Sequence, residues 1–248
     1  MKSIEIIPIN NFPIINKGDS ISESIANVIK RNKLSLKKND ILVIAHKIIS
    51  ISEGRIVKLS DIKISKKIKK ISKKIKKSPE ITQLIFNESE KIIKISKNFI
   101  ITKDKNGIIA ANAGVDQSNL KNSDHALLLP KNPNKSAKRI SLEIEKRFKK
   151  SIPVIISDSV GRPWRNGLTQ IAIGSYGIKS IIKYDKDLYN NRLYDTDIPL
   201  VDEISSAAGL LMIKDAGIPV VIIRGYNYIP VKQGLKNIVR SEKNDVFI

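Results

Sequence analysis

Residues 152–158 carry the segment IPVIISD, a short apolar run that ends at an aspartate. Such a run, bounded by polar residues, is typical of a buried β-strand. A second run of the same kind, DILVIA, occupies residues 40–45. Amphipathic helices are predicted between and around these strands, but without a strict strand–helix–strand rhythm. We therefore predict an α+β fold.

The other elements follow from periodicity, capping and turn residues. Further strands are predicted over 3–9, 100–101, 108–109, 169–173 and 219–223, and helices from Ser20, over 61–77, from Pro79, over 134–149 and from Pro199. The segment GRPWRNG at 161–167 is rich in glycine and proline, so we expect it to be irregular. Neither a repeat nor a linker stands out, so residues 1–248 are predicted to form one unit.

The charge balance raises the question of nucleic acid. The chain has 248 residues and a formal net charge of +21, and a basic surface is the usual footprint of phosphate-backbone binding. Arginine, whose guanidinium group forms bidentate hydrogen bonds with phosphate and guanine, supplies only 9 of the 45 basic residues. Isoleucine reaches 48 residues, and both Ile and Lys have A/T-rich codons. We therefore favour biased composition over a dedicated nucleic-acid surface.

Nine lysines lie between Asp61 and Lys77. The apolar residues of this segment recur at helical spacing, at Ile64, Ile68, Ile71 and Ile75. This pattern predicts an amphipathic helix that docks its isoleucine face on a core and leaves its lysines in solvent. A helix that binds RNA or a membrane surface remains the alternative interpretation.

Several classes of protein are excluded by what the sequence lacks. Cysteine is absent, which excludes disulfides, cysteine-ligated metals and a thiol nucleophile. No P-loop, no GxGxxG after a strand and no GxSxG elbow occurs. No run approaches 18 apolar residues, and Glu5 and Pro8 interrupt the N-terminal apolar segment. We expect a soluble cytoplasmic protein with no membrane partner.

Two polar loops carry the residues best suited to chemistry. The first, ANAGVDQSN at 111–119, combines Asp116 with amide and hydroxyl oxygens, which suits a hydrated cation and the phosphates it bridges. An Asx-turn is the purely structural alternative. In the second, Asp158 and Ser159 follow the buried strand at 152–157, as Mg²⁺ or Mn²⁺ ligands often do near nucleotide phosphates.

The second loop also contains two of the nine arginines, Arg162 and Arg165. Arginines placed three residues apart in a lysine-rich chain favour bidentate recognition of phosphate or carboxylate. A structural salt bridge is the alternative. His46 and Lys47 follow the strand at 40–45, where a cation at a strand end is a weaker indication of a phosphate site.

Several long strings together resemble the coenzyme F420-0:L-glutamate ligase family. They are AANAGVDQSN, LLLPKNPNKSA, VIISDSVGRPWRNG, IAIG and IPVVIIRG, and their order and spacing agree from about Ile4 to Arg240. The resemblance implies a GTP-dependent ligase that adds γ-linked L-glutamate to a deazaflavin coenzyme precursor through an acyl phosphate. It also implies a mixed-sheet subunit of two subdomains, an intertwined homodimer, Mg²⁺ or Mn²⁺, and often K⁺.

The resemblance also implies roles for individual residues. Asp116, Asp158 and Ser159, which stands in place of a threonine, match metal-binding positions. The positions that match nucleotide contacts are Phe12, Pro13, Ile14, Ile15, His46, Lys47 and Asn119. Asp158, Arg162 and Arg165 are our candidates for catalysis.

Two departures from the family pattern leave the second metal and the nucleotide preference open. Ile51 stands where a nucleotide-binding lysine is expected, and Lys214 stands where a metal-binding Glu or Gln is expected. A related nucleotide-dependent ligase with another acidic acceptor therefore remains an alternative, as does a basic protein that binds RNA or a membrane surface.

Overall fold

The computed structural model describes residues 3–194 and 196–245, so positions 1, 2, 195 and 246–248 of the predicted unit lie outside the described residues. The strands in these ranges are β1 (Glu5–Pro8), β2 (Ile41–Ala45), β3 (Ile56–Lys58), β4 (Ser89–Ile95), β5 (Ile100–Asp104), β6 (Ile109–Ala111), β7 (His125–Leu127), β8 (Val154–Arg162), β9 (Arg165–Ile178), β10 (Val220–Arg224) and β11 (Pro230–Gly234). The α-helices are α1 (Ile21–Arg31), α2 (His46–Ser52), α3 (Lys66–Ile75), α4 (Pro79–Glu88), α5 (Pro133–Phe148) and α6 (Leu200–Gly209). Short 3₁₀ turns cover Leu59–Asp61, Asn112–Gly114 and Glu242–Asn244.

Six strands form the main sheet, in the order β1-β10-β2-β8-β9-β11. The apolar runs at 40–45 and 152–157 form β2 and the first part of β8. These two strands are neighbours and parallel, with Leu42 opposite Val154 and Ala45 opposite Ser157. The other neighbouring pairs of this sheet are antiparallel. The predicted α+β class is confirmed, because parallel and antiparallel strands occur together in one sheet.

The main sheet is buried on both faces. Alternate residues of its central strands point to opposite sides, so Leu42 belongs to one hydrophobic core with α1 and α5, and Val43 to another with α6. Covering helices on both sides explain why β2, β8 and β10 read as continuous apolar runs rather than as alternating ones. The ends of the central strands are therefore held by packing from both layers.

A third hydrophobic core lies under α3 and α4. Two small sheets, β3-β7 and β4-β5-β6, complete the chain. The strands predicted at 100–101 and 108–109 form a hairpin here, since Lys103 of β5 pairs with Ile109 of β6 and Gly107 takes a φ of +85° at the turn. The proposed division into two subdomains stays a prediction.

The lysine-rich segment forms the predicted amphipathic helix, α3, over a shorter range. Ser65 caps it by accepting a hydrogen bond from the Ile68 amide at 3.3 Å. Ile64, which the spacing placed on the apolar face of the helix, precedes this cap and lies outside the observed helix. Ile68 is buried, Ile75 belongs to the third core and Ile71 packs against it, and the lysines of the helix are exposed. None of the described helices is long and apolar enough to cross a membrane.

The expectation of an irregular segment at 161–167 is wrong. Strand β8 continues to Arg162 and β9 begins at Arg165, so this segment is the end of a long hairpin. Pro163 and Trp164 form the two-residue turn, where proline needs no amide partner and Trp164 takes a left-handed φ of +65°. Residues 161–168 are all exposed, so the hairpin end projects into solvent.

A buried ion pair joins the end of β10 to the residue that precedes β2, at one edge of the main sheet. Arg224 at the end of β10 donates from Nε and Nη2 to the two carboxylate oxygens of Asp40, both at 2.8 Å. Asp40 is 0% exposed, and hydrogen bonding to this carboxylate raises the pKa of the Arg224 guanidinium. The polar boundary before β2 is therefore part of the core rather than a solvent-exposed loop.

Candidate active site

The predicted site residues meet where β2 ends and its pairing with β8 stops. His46 is the first residue of α2, directly after β2. Asp158, which was expected to follow its strand, lies inside β8, just past the last β2–β8 pair and opposite Ile171 of β9. His46 Nε2 lies 3.2 Å from Asp158 Oδ1, within ion-pair distance, and His46 is 3% exposed. The carboxyl ends of adjacent parallel strands are the usual place for a ligand in sheets covered on both faces.

Asp158 is held through one of its oxygens. Oδ1 accepts from the Ser159 amide at 2.7 Å and faces His46 Nε2 at 3.2 Å. Within the described parts of the chain, Oδ2 accepts no hydrogen bond. The carboxylate is therefore oriented on one side and available on the other, as is typical of a carboxylate ligand with outer-shell support.

Asp116 reaches the same region from the loop after β6. Lys47 Nζ lies 2.7 Å from Asp116 Oδ2 and 2.6 Å from Ser118 Oγ. Burial alone would raise the pKa of Asp116, but the hydrogen bonds from Lys47 and Ser118 outweigh it and hold that pKa below its ordinary value. Since Lys47 follows His46, these contacts bring Asp116 and Asp158 to the same helix start.

The loop that carries Asp116 has a strained and well-anchored backbone. Asn112 and Ala113 take left-handed φ values of +59° and +51°, and Asp116 forms an isolated antiparallel bridge with Leu127. Ser118 donates its amide and its hydroxyl to the Asp116 carboxylate, both at 2.8 Å. This is the Asx-turn proposed as the structural alternative. The same turn also fixes the carboxylate that faces Lys47.

Two further contacts enlarge the site. Gln170 on β9 donates from Nε2 to Ser159 Oγ at 2.9 Å, and its buried Oε1 has no partner in the described structure. Asn119 donates from Nδ2 to the Lys214 carbonyl at 3.1 Å, which joins the 111–119 loop to the 212–218 loop. Sequence reasoning missed Gln170, because only the register of the β8–β9 hairpin places it opposite Ser159.

Other predicted residues lie apart from this cluster. Phe12 and Ile15 pack in the first core, and Ile14 is 73% exposed. Arg162 and Arg165 lie at the exposed hairpin end. The functional roles predicted for these residues, and for Pro13, stay predictions.

The two departures from the family pattern also have structural positions. Ile51 lies on α2 and packs against the first core, so its side chain is part of the fold. Lys214 is exposed, and it is its backbone carbonyl that contacts Asn119.

The donor set suits a hard cation. Among the described residues no group of three or more His, Asp or Glu side chains is arranged as a ready metal site. Two aspartates with adjacent serine hydroxyls offer the oxygen donors that Mg²⁺ and Mn²⁺ prefer, with substrate phosphates and water completing the coordination. The free Oδ2 of Asp158 fits this use.

The fold and this cluster are typical of a protein that handles phosphate and carboxylate groups at the ends of parallel strands. The family model described as F420-0:Gamma-glutamyl ligase matches residues 10–225. The chain belongs to this family.

Curated relatives match almost the whole chain. The coenzyme F420:L-glutamate ligase of Methanocaldococcus jannaschii is 42% identical, over 99% of this chain and 97% of the relative. That of Methanothermobacter thermautotrophicus is 35% identical, over 98% of each. A third, from Methanococcus maripaludis, is 41% identical over 87% of this chain and 88% of the relative.

Proposed function

We propose that the protein is a GTP-dependent ligase that joins L-glutamate to the deazaflavin precursor coenzyme F420-0 through its terminal carboxyl group. The observation that carries this proposal is the convergence of Asp116, Asp158 and Lys47 at the end of β2, where its pairing with β8 stops. Membership of the F420-0:gamma-glutamyl ligase family and the names of the relatives support it.

The reaction makes an amide from a carboxylate and therefore needs an activated acyl group. A carboxylate oxygen of the acceptor attacks the γ-phosphorus of GTP, and GDP leaves, giving an acyl phosphate. The glutamate nitrogen then attacks the acyl carbon, the carbon–oxygen bond to phosphate breaks, and the nitrogen loses a proton. No covalent protein nucleophile is required, so the protein acts by positioning and charge stabilisation.

Each residue of the cluster has a separate role in the proposed reaction. Asp116, Asp158 and Ser159 would hold Mg²⁺ or Mn²⁺, which neutralises charge on the transferred phosphoryl group. Lys47 contacts Asp116 and Ser118, from where its ammonium group is placed to contact a phosphate. His46 orients Asp158, and Asn119 and the segment Phe12–Ile15 contact the nucleotide. K⁺ is a further proposed cofactor.

The charge of the protein fits these substrates. GTP, glutamate and the acceptor are all anionic, and the chain carries a formal net charge of +21. A positive field raises the encounter rate of anionic ligands at low ionic strength. The lysine excess therefore serves capture of substrate in this proposal, with no dedicated nucleic-acid partner.

We also propose that the protein works as a homodimer in which the β8–β9 hairpin end meets the second copy. Residues 161–168 are all exposed, and they include Trp164 at 88% and Leu168 at 59% exposure. Large apolar side chains on a projecting hairpin are suited to burial at an interface. Arg162 and Arg165 would then contact anionic substrate bound to the other subunit.

Mass spectrometry of a ligation reaction tests the function directly. The protein is incubated with GTP, Mn²⁺, L-glutamate and coenzyme F420-0, and the product is expected to carry one or more added glutamyl residues. Reactions with ATP in place of GTP, and without Mn²⁺, serve as controls. Intact GTP turnover with another acidic acceptor, and none with F420-0, would favour the alternative ligase. No GTP turnover with any acceptor would contradict both.

A further inference from the structure

A neutral side chain reaches the candidate active site from β9. Gln170 lies opposite Ser159 in the β8–β9 pairing and donates from Nε2 to Ser159 Oγ at 2.9 Å. Ser159 is exposed, whereas Gln170 is half-buried. The group that contacts this exposed hydroxyl is therefore itself held by the fold.

Helix α6 fixes the backbone of Gln170. Ser206 on α6 donates from Oγ to the Gln170 carbonyl at 2.8 Å, and Thr169 Oγ1 lies 2.9 Å from the same Ser206 hydroxyl. Because Ser206 has a single hydroxyl proton, Thr169 is the donor in the second contact. These contacts tie β9 to α6 at the residue that carries the amide.

Gly209 leaves the space in which the Gln170 side chain lies along α6. A Cβ atom at Gly209 would lie 2.7 Å from Gln170 Cγ and 3.4 Å from Gln170 Cβ. Gly209 is the last residue of α6, and its φ is outside the left-handed region, so its backbone does not require glycine. Alanine has the higher helix propensity. The glycine is therefore explained by the room that it leaves for Gln170.

Packing alone does not favour a glutamine at this position. Gln170 Oε1 is buried and accepts no hydrogen bond from the described residues, and a buried polar atom without a partner lowers stability. Methionine is an unbranched side chain of similar length that would fill the same space without this cost. The contact with Ser159 is what glutamine supplies here and an apolar side chain does not.

This hydrogen bond determines which parts of the Ser159 hydroxyl remain available. A serine hydroxyl has one proton to donate and two lone pairs. Gln170 Nε2 occupies one lone pair, and an amide NH₂ group cannot accept the hydroxyl proton. One lone pair therefore remains for a cation, and the O–H group remains for an anionic oxygen such as that of a phosphate.

We infer that Gln170 is a positioning residue that orients the Ser159 hydroxyl for Mg²⁺ or Mn²⁺. In taking Ser159 as a ligand of the cation, the inference rests on the proposed function. Loss of an outer-shell partner of this kind typically changes metal affinity or activity by about 10- to 100-fold. Gly209 contributes indirectly, because it leaves space for the Gln170 side chain.

Titration of the full-length protein with Mn²⁺ alone, with the free ion measured by electron paramagnetic resonance, tests the inference. Gln170→Met removes both the donor and the buried unpaired oxygen. We expect the affinity for Mn²⁺ to fall by about tenfold or more, while the melting temperature stays the same or rises. A purely structural role predicts the opposite, a lower melting temperature and an unchanged affinity. Gln233→Met, at an exposed position of β11, is the matched control and should change neither quantity.

A double-mutant cycle with Ser159→Ala tests whether Gln170 acts through Ser159. Ser159→Ala alone is expected to lower the affinity for Mn²⁺ at least as much as Gln170→Met. Adding Gln170→Met to Ser159→Ala should then cause no further loss, because the two changes remove the same contact.

Gly209→Ala tests the same contact without changing the amide. The added Cβ displaces Gln170 Cγ, so the affinity for Mn²⁺ should fall in the otherwise unchanged protein. In a Gln170→Ala background, which lacks Cγ, Gly209→Ala should have no effect on that affinity. Unchanged affinity in folded Gly209→Ala would overturn the part assigned to Gly209.

The outcomes for Gln170 and for the reaction are distinguishable. The inference is overturned, even when ligation proceeds, by unchanged Mn²⁺ affinity in folded Gln170→Met, by an equal loss with and without the Ser159 hydroxyl, or by the absence of saturable Mn²⁺ binding to the parent protein. Affinity lost through Ser159 supports it, even when F420-0 is not ligated and the proposed function fails. If both hold, Gln170→Met raises the Mn²⁺ concentration for half-maximal ligation and leaves kcat at saturating Mn²⁺ largely unchanged.

Discussion

The two halves of the segment SDSVGRPWR at 157–165 are adjacent in sequence but lie in different environments. Asp158 is held by His46 and the Ser159 amide at the end of the buried sheet. Arg162, four residues on, is exposed at the hairpin end. A strand rises about 3.3 Å per residue, so the two positions are separated by about 13 Å along β8.

The comparison between Asp158 and Arg162 shows in which region charged side chains have fixed partners. At the strand ends, each charged side chain of the cluster has a defined partner: the side chains of His46 and Asp158 are 4% and 17% exposed, and those of Lys47 and Asp116 remain paired although they are 26% and 37% exposed. At the hairpin end and along α3, charges are solvated, and solvated charges act mainly through the long-range field or through a bound partner. Substitutions in the two kinds of region are therefore expected to differ in kind as well as in size.

The largest effect is expected for Arg224→Leu, which leaves the buried Asp40 carboxylate without its counter-charge. Removing one member of a buried ion pair typically costs about 3–5 kcal/mol, so the free energy of unfolding should fall by about that amount. Chemical denaturation measures it. Arg162→Leu at the hairpin end is the matched control and should change stability by no more than about 0.5 kcal/mol. An equal loss of unfolding free energy in the two variants would contradict the expected difference between the buried ion pair and the exposed hairpin end.

Asp158→Asn is expected to abolish most of the ligation while the fold remains intact. The amide oxygen still accepts from the Ser159 amide and lies beside His46, but the charge that would hold the metal is lost. We expect a decrease in kcat of about 100-fold or more at limiting Mn²⁺, equivalent to about 2.7 kcal/mol, with an unchanged melting temperature. Near-parental turnover by the folded variant would show that Asp158 does not hold the metal.

Replacing both Arg162 and Arg165 by alanine tests whether the hairpin end takes part in the reaction. If these arginines contact substrate on a second subunit, we expect kcat/KM to fall by about tenfold, roughly 1.4 kcal/mol, with stability unchanged. Sedimentation measures whether the dimer persists. Arg192→Ala, also at an exposed position, is the control. Unaltered kcat/KM in the double variant would refute the predicted role of both arginines.

The smallest effect is expected on α3. Replacing Lys66, Lys70 and Lys73 by glutamate changes only exposed side chains, so stability should shift by no more than about 0.5 kcal/mol for each. Ligation should stay largely unchanged, apart from slower substrate capture at low salt that disappears at higher salt. Titration with RNA is the second measurement. Tight, salt-sensitive RNA binding by the parent that this triple variant loses would support the nucleic-acid alternative.

Local patterns were enough to predict most elements and the main site residues. Ser20 caps α1 by accepting from the Glu23 amide at 3.3 Å. The apolar run at 40–45 became β2 with nearly the predicted bounds, whereas the run at 152–157 became a strand that continues to Arg162. Caps and buried strands depend on neighbouring residues and on overall apolarity, which are visible along the chain. Asp116 and Asp158 could be selected because carboxylates after strands carry a chemical signal of their own.

Elements whose stability comes from pairing were missed or misread. The strands β3, β4, β7 and β11 and the short helix α2 were not predicted, and the hairpin end at 161–167 was expected to be irregular. Glycine and proline indicate a turn, but they do not reveal that the strands on either side continue to pair. A strand of low intrinsic propensity forms when its partner is present, and the partner is identified only by the fold.

From its order of residues alone, this chain could be placed in its fold class, and the loops and side chains suited to phosphate chemistry could be selected, because residue type and near-neighbour spacing carry that information. Three-dimensional packing was needed to place Gln170 against Ser159, to pair Lys47 with Asp116, and to leave the buried Oε1 of Gln170 without a partner among the described residues. The first two contacts join residues that lie 11 and 69 positions apart, and the third feature depends on which donors the surrounding elements supply. Distances and unmet hydrogen bonds of that kind are set by strand register and by the packing of separate elements, which no local pattern encodes.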